Sequence, residues 1–418
     1  MATTNVKGSG NTLETLNGLY KDVYGEYHDI LPKGLRFQND IPFKRGKKLG
    51  DNYVENVLLA HEHGVTYIKE DVDDAALEAS IAGQTKKASL QGSQIMLRSR
   101  IGYKAAKAAV KGGQEAFKRA FDVVIDNMSQ SVRKRVEIDI LYGRQALCTV
   151  SAVASDVVTI DTAEWAPGMW AGMENAELEA FDAAGTTARV AGSATITIKS
   201  VDIDNKKITG TASSVPTDLV ATDTLWFKTQ HTTTEERSML GLHQILTTTG
   251  TLFGIATADF SLWNASTHSA GTAQLTFPKV QKAVYKAISK GLDGDLCLYV
   301  NPNTWADLLT DEAALRRHNA PKNYDVGAEG IKFYSQNGTI LIKASIYVKE
   351  GFAYLIPITK FSRVGASDIT FNVLGESDSY FLWVQDRSAY EMRLYSDQAL
   401  YTPCPGQSVL INNIVNAA

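Results

Sequence analysis

The sequence predicts an α+β protein in which one long helix is followed by strand-rich regions. Short β-branched runs typical of a small all-β module fill residues 151–230, and strand patterns dominate residues 331–415. The long helix is indicated by an apolar stripe at helical spacing, bounded by Gly112–Gly113 and Gly143. The stripe consists of Phe117, Phe121, Val124, Met128, Val132, Val136 and Ile140.

The composition is that of a folded protein with two or three domains. The 418 residues are 44% hydrophobic and 21% charged, and a chain of this length exceeds one ordinary core. A formal net charge of -4 argues against a dedicated nucleic-acid binder, in which a basic surplus is usual. Cys148, Cys297 and Cys404 are far apart and indicate reduced thiols. We see no signal-peptide pattern and no apolar run long enough for a membrane span, so we expect folding in the cytoplasm.

The first 101 residues predict an arm that projects from the rest of the protein. An apolar stripe over 11–27 indicates an amphipathic helix, and the proline- and glycine-containing segment after it favours an extended chain. Residues 53–70 and 94–103 have strand patterns, and the tract between them is polar and acidic. Two strands around a long polar tip are marginal in water, so we expect the arm to rest on something else, in its own subunit or in another.

The segment "QSVRKRVEIDILYG", residues 130–143, ends the long helix and contains a basic run. Acidic residues are interspersed with basic ones, which a surface that tracks phosphates would avoid. We therefore predict that the charged side is solvated or faces another subunit, with a nucleic-acid contact as the alternative. The residues on that side are Lys118, Arg119, Asp122, Asp126, Lys134, Glu137 and Arg144.

The middle of the chain predicts a β module followed by helices and strands. Asp204–Asn205 in "SVDIDNKKITG" is a plausible hairpin turn between two β-branched runs. "LTFPKVQKAVYKAISKG" has one apolar helical face, and "LCLYV" predicts a buried strand. Asn301 and Pro302 are typical of a helix start, so "NPNTWADLL" predicts a second helix.

Motifs that would carry catalysis or bind a cofactor are missing from the sequence. It has no phosphate-binding loop, dinucleotide fingerprint, nucleophile elbow or H-E-x-x-H pattern. His61 and His63 would share a strand face, but the third ligand that zinc requires is not nearby in sequence. The stretch 202–205 imitates the start of a calcium loop, yet Lys207 stands at the glycine position and no closing glutamate follows. We predict no catalytic residue, cofactor or metal site.

Several segments, in order along the chain, resemble one protein family. They are "QSVRKRVEIDILYG", "TGTLFGIATADFSLWNAS", "LTFPKVQKAVYKAISKGL" and "LCLYVNPNTWADLLTDEAALRR". With the order of arm, hairpin, long helix, β insertion, α/β middle and strand-rich return, the chain resembles the major capsid protein of tailed bacteriophages. The resemblance implies the phage capsid fold named after coliphage Hong Kong ninety-seven.

This resemblance also implies a division of the chain into parts. They are an N-terminal arm at 1–46, an extended hairpin loop at 47–101, a peripheral domain with the spine helix at 102–150, a β-rich insertion domain at 151–230, an axial domain at 231–360 and return strands of the peripheral domain at 361–418.

The function that the resemblance implies is a major capsid protein. Such a protein self-assembles as pentamers and hexamers into the icosahedral head that encloses double-stranded phage DNA. The expected partners are copies of itself, a portal, a possible separate scaffold or decoration protein, and DNA contacted non-specifically, without a membrane. We expect the protein in the virion capsid, after assembly in the host bacterial cytoplasm. A bacterial nanocompartment shell of the same fold is the alternative, and an enzyme with an unrecognised site is a third possibility.

The charge pattern of the projecting arm predicts a contact between subunits. The three aspartates of the tip could instead hold a divalent ion or be solvated. A basic base and an acidic tip nevertheless suit head-to-tail contact, each tip meeting the base of the next subunit. The predicted contact residues are Asp71, Asp73, Asp74 and Glu78 at the tip, and Arg45, Lys47, Lys48, Arg98 and Arg100 at the base.

Overall fold

The structure is a computed structural model of the chain. It describes residues 31–46, 48–49, 52–103, 114–235, 237–310, 331–335, 338–371, 382–384 and 388–417. The helix predicted for 11–27 lies outside these residues, as does Lys47. The side chains of Phe117 and Phe121 in the long helix also lie outside the description.

Strands outnumber helices in the described part of the chain and often follow one another without a helix between them. The helices are α1 (Phe37–Asp40), α2 (Gln114–Tyr142), α3 (Pro167–Trp170), α4 (Leu242–Thr247), α5 (Phe277–Ile288) and α6 (Pro302–Thr310). The strands are β1 (Phe43–Arg45), β2 (Lys48–Leu49), β3 (Asn52–Ala60), β4 (Gln84–Leu90), β5 (Ser93–Gly102), β6 (Cys148–Ala154), β7 (Val157–Ile160), β8 (Glu177–Phe181), β9 (Ala188–Arg189), β10 (Ile196–Asp202), β11 (Lys207–Gly210), β12 (Thr224–Phe227), β13 (Thr251–Leu252), β14 (Ile255–Ala256), β15 (Ser266–Ala273), β16 (Leu296–Val300), β17 (Ile331–Ser335), β18 (Gly338–Ala344), β19 (Ala353–Ile356), β20 (Ser362–Thr370), β21 (Leu382–Trp383), β22 (Ala389–Tyr401) and β23 (Val409–Ile414).

The long helix α2 confirms the predicted apolar stripe. Val124, Met128, Val132, Val136 and Ile140 are each at most 5% exposed. The chain leaves the helix at Gly143, where a Cβ atom would lie 2.1 Å from the Met239 carbonyl oxygen. Only glycine allows this close approach of two backbones.

Six strands of residues 148–227 pair in a closed ring. The order is β10-β11-β7-β6-β12-β8, β8 pairs again with β10, and β9 lies outside on β8. The range 151–230, predicted as an all-β module, is strand-rich and also contains the short helix α3. The predicted hairpin turn joins β10 to β11, and the Asp202 carboxylate accepts the Asn205 backbone N–H there at 3.0 Å.

The strand predicted at 94–103 does not belong to the projecting hairpin. It is β5, which pairs antiparallel with β22 from Ser93↔Gln398 to Gly102↔Ala389. The partner of β3 is β4, which the prediction missed. Strand β4 has the sequence QTKKASL and buries only its last residues, so it lacks the apolar alternation that reveals a strand.

The C-terminal residues divide between two sheets. One sheet has the order β1-β20-β22-β21 with β5 also on β22, and the other has the order β15-β23-β19-β16-β18-β17. We predicted that residues 361–418 are return strands of one domain. Strands β20, β21 and β22 do lie in the first sheet, but β23 is an inner strand of the second sheet, between β15 and β19. Val409 and Ile411 pack in a separate hydrophobic cluster with α5, which explains why β23 joins that sheet.

The helix and strand predicted in the middle of the chain are confirmed. All five residues of β16, Leu296–Val300, are buried. Helix α6 begins after Asn301, whose side-chain oxygen accepts the backbone N–H of Asn303 at 3.0 Å. This is the bond that an asparagine N-cap makes, and Pro302 occupies the first helical position.

Candidate functional site: an acidic loop that projects from the fold

Residues 61–83 form the loop between β3 and β4, which we call the acidic loop. This loop exposes several large apolar side chains. Tyr67 is 95% and Leu77 is 80% exposed. The other exposed large apolar residues of this loop are Val65, Ile68, Val72 and Ile81. A monomeric protein rarely leaves so many apolar side chains together in water, so the acidic loop has the composition of a binding surface.

The acidic loop also concentrates negative charge. Residues 61–83 contain six carboxylates and one lysine. Lys69 pairs with Asp71 at 2.5 Å, and both side chains are more than half exposed. The predicted tip residues Asp73, Asp74 and Glu78 are exposed as well. The net charge of the loop is therefore strongly negative.

The base of the hairpin rests on the body of the protein, as predicted. Tyr53, Val57 and Ala88 lie buried on one face of β3 and β4. The Ser89 N–H donates to the Phe253 carbonyl at 2.8 Å. The Lys86 ammonium lies 4.9 Å from the centre of the Phe260 ring. These contacts hold the strands and leave the loop beyond them projecting.

Two of the predicted basic partners are already paired within the chain. Arg98 and Arg100 both reach the carboxylate of Glu391, which is 1% exposed. The register places Glu391 directly opposite Arg100 on β5. Although burial acts to raise it, hydrogen bonds from Arg98 and Arg393 hold the pKa of Glu391 below its ordinary value. A buried carboxylate needs cations or hydrogen-bond donors as partners, and sequence alone does not show that the carboxylate of Glu391 on β22 meets Arg98 and Arg100 on β5.

The remaining predicted base residues are Arg45 and Lys48. Arg45 ends β1 with an exposed side chain, whereas only the backbone of Lys48 in β2 is described. Among the side chains that the structure of one subunit describes, no cation of the predicted base forms an ion pair with a carboxylate of the acidic tip.

The basic run of α2 is covered in part, which corrects the prediction that Lys134 is solvated or faces another subunit. Of the other residues predicted on that side, Asp126 is exposed, and the side chains of Lys118, Arg119 and Asp122 lie outside the described residues. Arg133 is exposed, but Lys134 Nζ donates to the Ala171 carbonyl at 2.5 Å. The Arg135 guanidinium lies 3.2 Å from the centre of the Phe227 ring. Ala171 and Phe227 belong to the β module, so the run holds that module against the helix. Burial lowers the pKa of Lys134 to about 8, and Arg135 adds to the effect.

We expect Lys134→Ala to lower the free energy of unfolding by about 1–2 kcal/mol, because it removes a half-buried hydrogen bond and the packing of the side-chain stem. The matched control Arg133→Ala should change it by less than about 0.5 kcal/mol, since that side chain is exposed. Urea denaturation of the three proteins measures both values. Equal losses would contradict the contact with Ala171.

Glu137 was predicted on the charged side, but it is fully buried. Its carboxylate accepts the backbone N–H groups of Arg36 and Phe37 at 2.8 Å and of Gln38 at 3.0 Å. Burial raises the pKa of Glu137 to about 7, against the opposing effect of these N–H groups and of Arg363. One helical carboxylate thus fixes the first turn of α1. The apolar surroundings in "VEIDILY" were the signal for this burial.

A second carboxylate anchors the other end of α1. Asp40 accepts the Tyr299 hydroxyl at 2.6 Å and Lys343 Nζ at 2.8 Å. The Arg363 guanidinium donates to the Ile41 carbonyl at 3.0 Å. The chain segment before the hairpin is therefore tied to α2 and to both large sheets.

The structure assembles no metal centre from the described residues. His61 and His63 are exposed, and no group of three potential metal ligands occurs in the described part of the chain. Cys148 and Cys297 are buried free thiols, and burial raises the pKa of each. None of the helices in the described ranges combines the length and apolarity needed to cross a membrane.

Comparisons with known proteins identify the fold. No protein-family model and no curated protein sequence matches the chain. The capsid asymmetric unit of cyanophage A-1(L) matches with a TM-score of 0.51 and 13% identity, over 96% of this chain and 98% of that one. The capsid of the native GTA particle matches with a TM-score of 0.50 and 7% identity, over the same 96% and 98%. The phage capsid fold implied by the sequence resemblance is thereby confirmed: this chain has the fold of these two capsid proteins.

Proposed function

We propose that this chain is a major capsid protein that assembles as pentamers and hexamers into a closed icosahedral shell around double-stranded DNA. Support comes from the shared fold, which extends over 96% of this chain in both comparisons. The observation that carries the proposal is the acidic loop, whose exposed apolar side chains a neighbouring subunit would cover.

In this proposal each part of the fold has a place in the shell. Helix α2 is the spine helix, the sheet of β1, β5 and β20–β22 is the peripheral domain, and the six-stranded sheet with α5 and α6 is the axial domain. The hairpin of β3 and β4 is the extended loop, and the closed ring of β6–β12 is the insertion domain. A portal, a scaffold or decoration protein, and the packaged DNA would be further partners of the assembled shell.

Self-assembly is tested by expressing the full chain and measuring its sedimentation and its appearance in electron micrographs. We expect free capsomers or closed particles tens of nanometres across. A stable monomer at every concentration and salt condition tried would overturn the proposal. Nuclease-resistant double-stranded DNA inside particles from an infected host would support a phage head, whereas particles that hold only protein cargo would indicate a nanocompartment.

We predict that Asp73→Lys combined with Asp74→Lys lowers particle yield without unfolding the subunit. Both side chains are exposed, so the substitutions should change the stability of the subunit little. A contact between subunits is repeated around every ring, so a loss of about 0.2–1 kcal/mol per ion pair adds up over the whole shell. The matched control is Asp204→Lys with Glu235→Lys, which reverses two exposed carboxylates elsewhere. Gel filtration measures the yield and circular dichroism the folding. Equal yields from both double variants would mean that the acidic tip is solvated.

A further inference from the structure

Helix α5 and the turn after it present a row of lysines along the edge of the buried face of the helix. Phe277, Val280 and Val284 pack into the core of the six-stranded sheet. Lys279, Lys282 and Lys286 follow at i, i+3 and i+7 along one stripe of the helix about 10 Å long, and Lys290 lies in the turn after the helix ends at Ile288. This lysine face consists of Lys279, Lys282, Lys286 and Lys290.

The lysine face has no carboxylate close to it in sequence. Between Asp259 and Asp293 the sequence has these four lysines and no acidic residue. Lys279, Lys286 and Lys290 donate to the backbone carbonyls of Gln274, Thr267 and Asn264, each at 2.6 Å. Within the described residues, none of the four makes an ion pair. Besides burial, which is the larger cause, three of these lysines lower the pKa of His268 on the neighbouring strand β15.

The lysine face also has an apolar component. Tyr285 lies between Lys282 and Lys286 in sequence and is 65% exposed. Its ring lies one turn along the helix from Lys282, so a partner that covers the lysines also meets an aromatic side chain. The partner that fits this surface is therefore both acidic and apolar.

We propose that the acidic loop of one subunit docks on the lysine face of a neighbouring copy of the same chain. The inference rests on the proposed function, because it names the surface that receives the loop in the shell. The loop supplies six carboxylates and one lysine, together with exposed side chains such as Tyr67 and Leu77. Arg98 and Arg100, which the sequence suggested as acceptors, are already engaged by Glu391.

A phosphate backbone is the other partner that lysines suit. The chain as a whole has a net charge of -4, and this overall acidic balance disfavours binding to the polyanionic backbone of a nucleic acid. Every subunit, in contrast, carries one acidic loop and one lysine face, and this equal number suits a contact that repeats from subunit to subunit. The segregation of opposite charges within one chain therefore favours the second copy.

The test is a charge swap in the full-length protein. Lys282→Glu with Lys286→Glu should lower particle yield about tenfold, which corresponds to about 1.4 kcal/mol. Combining this pair with Asp73→Lys and Asp74→Lys should restore the yield to within about twofold of the unmodified protein, because each reversed charge then meets its opposite. Lys282→Ala with Lys286→Ala removes the charges with little risk to the fold and should give an intermediate yield. Circular dichroism confirms folding of every variant.

The outcomes separate this inference from the proposed function. If the unmodified protein never assembles, the proposed function fails. If it assembles and the lysine variants assemble equally well, or if the charge swap restores nothing, the docking of the acidic loop on the lysine face is wrong. Particles formed at normal yield but with less bound nucleic acid would also overturn it, and would assign the lysine face to nucleic acid.

Discussion

Glu137→Ala is expected to lower the free energy of unfolding by about 3–5 kcal/mol, one of the two largest effects that we predict for a single substitution. The carboxylate is 0% exposed and accepts three backbone N–H groups at 2.8–3.0 Å. Alanine leaves these buried donors without an acceptor and opens a cavity beside α1. Removal of one side of a buried charged contact typically costs this much.

Two further variants show whether the hydrogen bonds cause the loss. Glu137→Gln retains one oxygen for Arg36 and Phe37, but its amide group then faces the Gln38 N–H, so an intermediate loss is expected. Asp126→Ala removes an exposed carboxylate from the same helix and should change stability by less than about 0.5 kcal/mol. Urea denaturation followed by circular dichroism measures all three. A loss from Glu137→Ala no larger than that from Asp126→Ala would contradict the anchoring of α1.

Val136→Asp is expected to lower the free energy of unfolding by about 3–5 kcal/mol, or to prevent folding. Val136 is 0% exposed and lies in the hydrophobic cluster that joins α2 to the sheets and the β module. An aspartate there has no cation positioned for it, so it either stays charged in an apolar site or binds a proton at a cost.

Two controls separate the buried charge from other effects of the substitution. Asn127→Asp introduces the same charge at an exposed position of α2 and should change stability by less than about 0.5 kcal/mol. Val136→Ala removes apolar volume without a charge and should cost about 2 kcal/mol. Thermal and urea melts of the soluble variants give the comparison. If Val136→Asp were as mild as Asn127→Asp, Val136 would not lie in the core.

Elements with a strong local pattern could be predicted from the sequence. The stripe from Val124 to Ile140 fixes the buried side of α2, and Asn301–Pro302 fixes the start of α6. The all-β module and the hairpin at Asp204–Asn205 follow from β-branched runs and turn residues. For α2, the start of α6 and the hairpin, residues close in sequence form the interaction that produces the element, whereas the ring of the β module closes by pairing β6 with the distant β12.

The pairing of strands could not be predicted in the same way. Strand β5 has clear alternation, yet its partner β22 is about 300 residues further along the chain. Strand β4 is polar for most of its length, and its partner β3 lies across the acidic loop. Alternation shows that a segment has a buried face, but not which other segment completes its hydrogen bonds.

The same distinction between local pattern and distant partners applies to the candidate site. The sequence by itself determined that the tip of the hairpin is acidic and that the end of α2 is charged, because these features depend only on residue type and spacing. Only the tertiary structure decided which charges are already satisfied. Glu391 engages Arg98 and Arg100, the β module covers Lys134 and Arg135, and α1 covers Glu137. The physical reason is that the cost of burying a charge is met by partners that are distant in sequence, and folding alone brings these partners together.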